Sequence, residues 1–230
     1  TFPDRAYTLG TQLGAGGQGR VWELRGAGQP AVCKVISTEV PKKPGLSADA
    51  AKRYQEIVAR NAEREVESLK RFSESRHFPT LLDARVYVAE DGTRSYIIIE
   101  EQLLPLLSTA YNELKLSPRE LAIRVGLEVS GAICELVKQK RTHRDIKIPN
   151  LFLRFNNNGS YEVVVSDLGA SKEAVPGVET IIGTPGHMAP ERLQQRVCYA
   201  ATGKGDVYSL GVTLLEIFTG KDLYIPEETV

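Results

Sequence analysis

The segment His143-Arg144-Asp145-Ile146-Lys147-Ile148-Pro149-Asn150 crowds five polar or charged side chains between a helical stretch and a strand, a density that structure alone rarely demands. Just downstream, Leu151–Phe155 and Tyr161–Val165 read as strands flanking the turn Asn156-Asn157-Asn158-Gly159, so an antiparallel hairpin is predicted. Pairing about that turn brings Asn150 beside Ser166-Asp167, and two oxygen donors then meet at one end of the hairpin. Oxygen-only donors suit Mg²⁺, which takes one or two protein groups and completes its shell with phosphate and water. Asp145, five residues before Asn150, reaches the same mouth and can accept a proton from an attacking hydroxyl. The plainer alternative is an Asx-rich turn region with capping side chains.

Upstream of this segment, Ser117-Pro118-Arg119-Glu120 combines a capping box with proline at the first helical position, and an apolar period continues to about Gln139. Before it the chain is β-rich. Strands are expected at Tyr7–Leu13, Arg20–Leu24, Ala31–Ile36, Ala84–Ala89 and Ser95–Glu100, and a long helix from a Ser47 cap to about Phe72. Leu13-Gly14-Ala15-Gly16-Gly17-Gln18-Gly19-Arg20-Val21 contains GxGxxG, which dinucleotide-binding folds share, but Arg20–Leu24 alternates as a strand rather than opening a helix. That makes the loop a hairpin tip. Glycines there let backbone N–H groups approach phosphates, although a glycine turn without a ligand reads equally well.

Lys34 is a lone charge in the apolar strand Ala31-Val32-Cys33-Lys34-Val35-Ile36 and needs a partner or an exposed edge. The long helix supplies one. Val58, Ala62, Leu69 and Phe72 follow the helical period and Glu65 falls on the same stripe, so its carboxylate is expected to face inward toward Lys34. Glu63 and Glu67 lie off the stripe and are expected to be solvated.

The totals bound the answer further. The chain has 230 residues, and its 29 Lys plus Arg balance 29 Asp plus Glu, so no summed field points to nucleic acid or to an anionic membrane. Cys33, Cys134 and Cys198 lie far apart without zinc spacing and suggest reduced intracellular thiols, hence a cytoplasmic expectation. The longest apolar run, Ile97 to Leu107, is interrupted by Glu100, Glu101 and Gln102 and is too short to span a bilayer. Met188 is the only methionine, so the chain is expected to be processed or cut from something longer.

His143 to Asn150, Asp167-Leu168-Gly169 and Ala189-Pro190-Glu191 occur in order, together with the glycine loop, Lys34 and Glu65. From about Tyr7 to Gly220 this set resembles the eukaryotic-type protein kinase domain. The resemblance implies an α+β, two-lobed fold: an N-terminal lobe over 1–102, with an antiparallel sheet and one helix, and a mostly helical C-terminal lobe over 103–230. It implies ATP and Mg²⁺ as cofactors, with Mn²⁺ as the alternative ion, and a protein substrate phosphorylated on serine or threonine.

By that resemblance Gly14, Gly16 and Gly19 cover the ATP phosphates, and Lys34, held by Glu65, contacts them. Asn150 and Asp167 bind the metal, Asp145 orients the acceptor hydroxyl, and Lys147 steadies the transferred group. Leu13, Val21 and Val32 wall the adenine pocket over Phe152, with Ile99 as gatekeeper and the backbone of Glu100 to Gln102 pairing with adenine. Lys147 with Thr184 in Gly183-Thr184-Pro185 resembles the Ser/Thr class. Arg144 before Asp145 resembles kinases with a phosphorylated activation segment, with Thr180 the leading position and Glu179 beside it.

Several features depart from the pattern. Leu168 stands where the family usually has phenylalanine, and Pro149 follows Ile148 in an altered loop order. Ser37–Asn61 is longer than usual, and the chain stops soon after the helix that Asp206 is expected to cap, before the family's last three helices and the arginine that would pair with Glu191. Two rivals follow: a pseudokinase acting as a nucleotide-binding scaffold, and a small-molecule kinase of related fold, which would lack the Gly183 to Glu191 segment. His187 within that segment is read either as a pH-sensitive contact or as an ordinary loop histidine. Cys33 is read as core filling, and His77 shows no partner in sequence.

Overall fold

The structure, a computed structural model, describes residues 7–16, 19–40, 47–170, 172–173, 183–190 and 203–222. The chain divides into two compact units, one of Thr1–Glu74 with Pro79–Gln102, the other of Ser75–Phe78 with Leu103–Val230. The α+β expectation holds for each: sheet and one helix in the first, mostly helix in the second.

The first unit is a five-stranded antiparallel sheet in the order β1 (Thr8–Gly16), β2 (Gly19–Arg25), β3 (Ala31–Ser37), β5 (Arg94–Glu101), β4 (Leu81–Val88). Alternation along β3 buries Ala31 and Cys33, which pack with Tyr7, Leu24 and Ile99. Burial pushes the Cys33 thiol up to about 11, so it behaves as an apolar filler. Strand β4 begins three residues earlier than the sequence suggests, because Leu81 already pairs with Glu100 across an irregularity before Asp83. Helix α1 (Ala48–Arg71) packs on β3, β4 and β5. Ser47 Oγ accepts the Ala50 N–H at its start, and Asp49 in the first turn with Lys70 and Arg71 in the last complement its dipole. Ala62, Glu65, Ser68 and Leu69 form its buried stripe.

The second unit opens with β6 (Leu104–Pro105) and α2 (Leu106–Asn112) and is built around α3 (Pro118–Lys138). Leu121, Val125, Val129, Ala132, Ile133 and Leu136 are buried at helical spacing, and each large one contributes roughly 1.5–3 kcal/mol relative to exposure. The capping box is present: Ser117 Oγ accepts from the Glu120 N–H, and the Glu120 carboxylate accepts from the Ser117 N–H at 2.9 Å. Those bonds from Ser117 hold the Glu120 carboxyl below its ordinary value. Ser117→Ala is expected to cost about 1 kcal/mol and to lower the melting temperature by about 2–4 °C in a thermal scan.

Helix α3 packs on helix α4 (Lys204–Thr219) and on β9 of a three-stranded sheet, β6, β8 (Leu151–Phe155), β9 (Tyr161–Val165). Short strands β7 (Arg141–Thr142) and β10 (Lys172–Glu173) pair separately. The Asn-rich turn closes as predicted, with the Asn156 N–H donating to Ser160 O and Gly159 at φ +80. Residues 76–78 are bound to this hairpin: Arg154 donates to the carbonyls of Arg76 and Phe78, and the Val165 N–H donates to His77 O. The His77 ring lies on α3 at Gly131, where a Cβ would come within 2.7 Å of the imidazole. Burial, with the Arg76 charge beside it, holds His77 below its ordinary value.

Asp206 does not cap α4. Gly203, at φ +68, occupies that place, and a Cβ there would meet Val137 at 2.7 Å, so the close approach of α4 to α3 requires glycine. Among the described residues, no helix is long and apolar enough to cross a membrane.

Candidate active site

In the first unit the glycine loop is a hairpin of the sheet, with Gly14 opposite Val21 and Gly16 opposite Gly19. Gly19 sits at φ +120 with Val35 O where a Cβ would be, at 2.4 Å, so no other residue fits. Gly17 and Gln18 lie outside the described residues. Val21 pairs with Lys34 and Glu23 with Val32; opposite residues share a face, and so do residues two apart. Val21, Val32 and Lys34 therefore emerge on one face, away from the face of Cys33 and Ala31. Leu13 falls in the irregularity between Gln12 and Gly14 and is exposed.

Lys34 Nζ lies 2.6 Å from Glu65 Oε1, with side-chain exposures of 13% and 5%. The pair holds the ammonium fixed in a poorly solvated place. Glu63 and Glu67 are exposed; Glu63 accepts from the Tyr96 hydroxyl and Glu67 pairs with Arg71. Ile99 is buried opposite Cys33. The backbone after it is more occupied than the resemblance implies. The Gln102 N–H donates to Pro30 O at 3.1 Å and the Glu101 N–H to Thr80 O at 3.1 Å.

In the second unit the loop from β7 to β8 gathers the polar segment. Arg144 at φ +75 and Asp167 at φ +69 both hold left-handed backbone, a strain of order 1 kcal/mol or more each for residues with a Cβ. The strain at Arg144 is held by Asp206. Its buried carboxylate accepts the His143 N–H at 2.7 Å and the Arg144 N–H at 2.8 Å, which fixes the loop to α4. His143 is fully buried: Nε2 faces Ser166 O at 3.1 Å and Nδ1 accepts the Asp145 N–H, so the ring locks Asp145 to the strand leading to Asp167.

Both carboxylate oxygens of Asp145 are engaged. Thr184 Oγ1 donates to Oδ1 at 2.8 Å; Lys147 Nζ lies 2.9 Å from Oδ2 and donates to Thr184 Oγ1 at 2.8 Å. Burial pushes the Asp145 carboxyl up, but the bonds from Lys147 and Thr184 and the Lys147 charge outweigh it, so its value is lowered and the group is ionised at neutral pH. Thr184 is brought there by Gly183, at φ +132, which lies so close to Arg144 O that a Cβ would be 2.6 Å away.

Asn150 ends a one-turn segment, Ile148–Asn150, in which its N–H donates to Lys147 O; Pro149 is accommodated inside that turn. Its Nδ2 donates to Asp145 O at 2.8 Å and to Asp145 Oδ2 at 3.2 Å, which leaves the amide oxygen as the free coordinating atom. The Ser166 N–H donates to Asn150 O, so the hairpin brings Asn150 beside Asp167 as expected, and Asp167 presents a buried carboxylate oxygen. An amide and a carboxylate oxygen fit a hard divalent cation. Phe152 is half-buried on β8. Thr180, Glu179 and Glu191 lie outside the described residues.

Sequence reasoning missed two features. Asp206 gave a signal, an acid in the first turn of a helix, but its partners lie some 60 residues earlier. His187 is no ordinary loop histidine: it is buried, with Nε2 2.9 Å from Glu216 Oε2 on α4.

Residues 7–229 match the protein kinase domain family. Over 231 residues the chain is 32% identical to the MAP kinase kinase MKK1/SSP32 of Saccharomyces cerevisiae, covering 95% of this chain and 40% of that protein. Over 80 residues, 34% of this chain and 8% of the relative, it is 46% identical to the receptor protein-tyrosine kinase CEPR2 of Arabidopsis thaliana. Over 91 residues, 37% of the chain, it is 41% identical to the serine/threonine-protein kinase BRI1-like 1 of Arabidopsis thaliana, of which it covers 7%. The chain thus spans well under half the length of these relatives. With a match running from the first sheet strand to beyond α4, through a loop and hairpin folded as described, the chain belongs to the protein kinase domain family and has its two-lobed α+β fold.

Proposed function

We propose that the chain transfers the γ-phosphoryl group of ATP to serine and threonine hydroxyls of proteins, with Mg²⁺ as the ion. The observation that carries this reading is the triangle of Asp145, Lys147 and Thr184, with 2.8 Å from Lys147 to Thr184 and from Thr184 to Asp145. An aliphatic hydroxyl is a poor nucleophile, and the triangle supplies an ionised carboxylate to orient it, with an ammonium beside the place where phosphoryl charge moves.

In the proposed reaction the acceptor oxygen forms the new P–O bond, the bond to the departing ADP oxygen breaks, and the hydroxyl proton passes to Asp145. Lys34, held by Glu65, takes phosphate oxygens, while the glycines at 14, 16 and 19 leave backbone N–H groups unobstructed. In the first unit Leu13, Val21 and Val32 face the adenine, with Glu100 and Gln102 beside it. Asn150 and Asp167 would hold the ion through oxygen. When bound, a divalent cation supplies charge neutralisation for the phosphates. With only these two protein groups, phosphate and water would complete its shell.

The test is transfer of labelled γ-phosphate to a generic basic protein, followed by phosphoamino-acid analysis. Phosphoserine or phosphothreonine is expected, lost with EDTA and restored by Mg²⁺. Phosphotyrosine alone would overturn the acceptor class. Nucleotide binding without transfer would favour a scaffold role.

A further inference from the structure

His187 is used by none of the chemistry above, yet it is only 6% exposed, as is Glu216. An ionised carboxylate only accepts, so Nε2, 2.9 Å from Glu216 Oε2, carries the proton, while the buried Nδ1 has no hydrogen-bond partner. A ring buried with one nitrogen unsatisfied is held for its other contact. That contact continues on both sides. Ser209 Oγ donates to His187 O at 2.7 Å, a second tie to α4. The His187 N–H donates to Thr184 O at 2.8 Å, and Thr184 Oγ1 donates to Asp145. A chain of hydrogen-bonded residues therefore runs from Glu216 through His187 and Thr184 to Asp145. Three residues of that path, Thr184, His187 and Glu216, line a cavity of about 630 Å³ together with Lys147, the other partner of Asp145.

The geometry points to His187 as a positioning residue: its imidazole, gripped by Glu216, fixes the 184–188 turn on α4 and thereby sets the orientation of Thr184 against Asp145. This rests on the kinase reading. The alternative is that the pair merely satisfies two polar groups that happen to be buried, and the two accounts part in a double variant. A buried hydrogen-bonded pair can often be replaced by apolar side chains at little cost, whereas removing one member leaves the other unsatisfied and is destabilising. His187→Leu alone would leave the Glu216 carboxylate without its imidazole and lower the melting temperature.

His187→Leu combined with Glu216→Leu is expected to restore the melting temperature but to leave kcat about tenfold to a hundredfold below that of the unsubstituted chain, through misplacement at the acceptor side. The KM for ATP should stay within about twofold, since nucleotide binding is not touched. His187→Gln, whose amide can still donate to Glu216, should retain at least about half of kcat. Independently of catalysis, amide hydrogen exchange at positions 187 and 188 of the nucleotide-free double variant should quicken by about tenfold or more as the turn loosens. A double variant with full kcat, or with unchanged exchange at those amides, overturns the proposal. If the unsubstituted chain transfers no phosphate, the kinase reading itself fails, and the exchange measurement alone decides whether the turn is held by the pair.

Discussion

Asp145→Asn will lower the rate of phosphoryl transfer by about 10²–10⁴-fold, the range that a positioned acid–base group supplies. The substitution keeps the shape of the side chain and removes its charge. It also puts an NH₂ where an oxygen now accepts: Oδ1 from Thr184, Oδ2 from Lys147 and Asn150. At the Oδ2 position the NH₂ would meet the Lys147 ammonium, donor against donor, and at the Oδ1 position it would oblige the Thr184 hydroxyl to turn and accept, so the triangle is rearranged either way. Initial rates at saturating ATP, with circular dichroism to verify folding, measure the effect. A variant within about tenfold of the unsubstituted chain would show that the carboxylate neither orients nor deprotonates the acceptor.

Asp206→Ala will act on stability and on rate together. It leaves the buried N–H groups of His143 and Arg144 without their acceptor, and bonds to a charged acceptor are worth about 1.5–3 kcal/mol each. A loss of about 3–5 kcal/mol of unfolding free energy is expected in urea titration. The rate should fall further than the unfolded fraction explains, because the left-handed backbone of Arg144 is held by the same carboxylate. A change under about 1 kcal/mol with full activity would mean that the loop keeps its shape without α4.

Much of this was legible beforehand where the determinants are local. Ser47 and the Ser117-to-Glu120 box mark helix starts because a side chain reaches a backbone N–H only three residues away. The Lys34–Glu65 pair was legible too, since helical periodicity pointed Glu65 inward and a buried carboxylate needs a cation. The Asn-rich turn fixed the register that sets Asn150 beside Asp167. Contacts between distant segments were not legible. Asp206 reads in sequence like any acid at a helix start, and only the fold reveals that its oxygens point at residues 143 and 144. Nothing in the sequence links Gly131 to His77, yet it is the space that receives that ring. His187 looks like a loop residue until α4 brings Glu216 against it. The positive φ at Arg144 falls on a residue type that gives no warning of it, whereas Asp167 is of a type that visits this region more readily.

The bond from the Gln102 N–H to Pro30 O bears on inhibitor design. A flat heterocycle that gains affinity by accepting a hydrogen bond from this amide must first displace an internal acceptor, so part of the contact is an exchange rather than a gain. On the proposed adenine contacts, scaffolds that leave this amide undisturbed and draw their affinity from the apolar side chains of Val21 and Val32 avoid that competition and are expected to outperform those that depend on the amide.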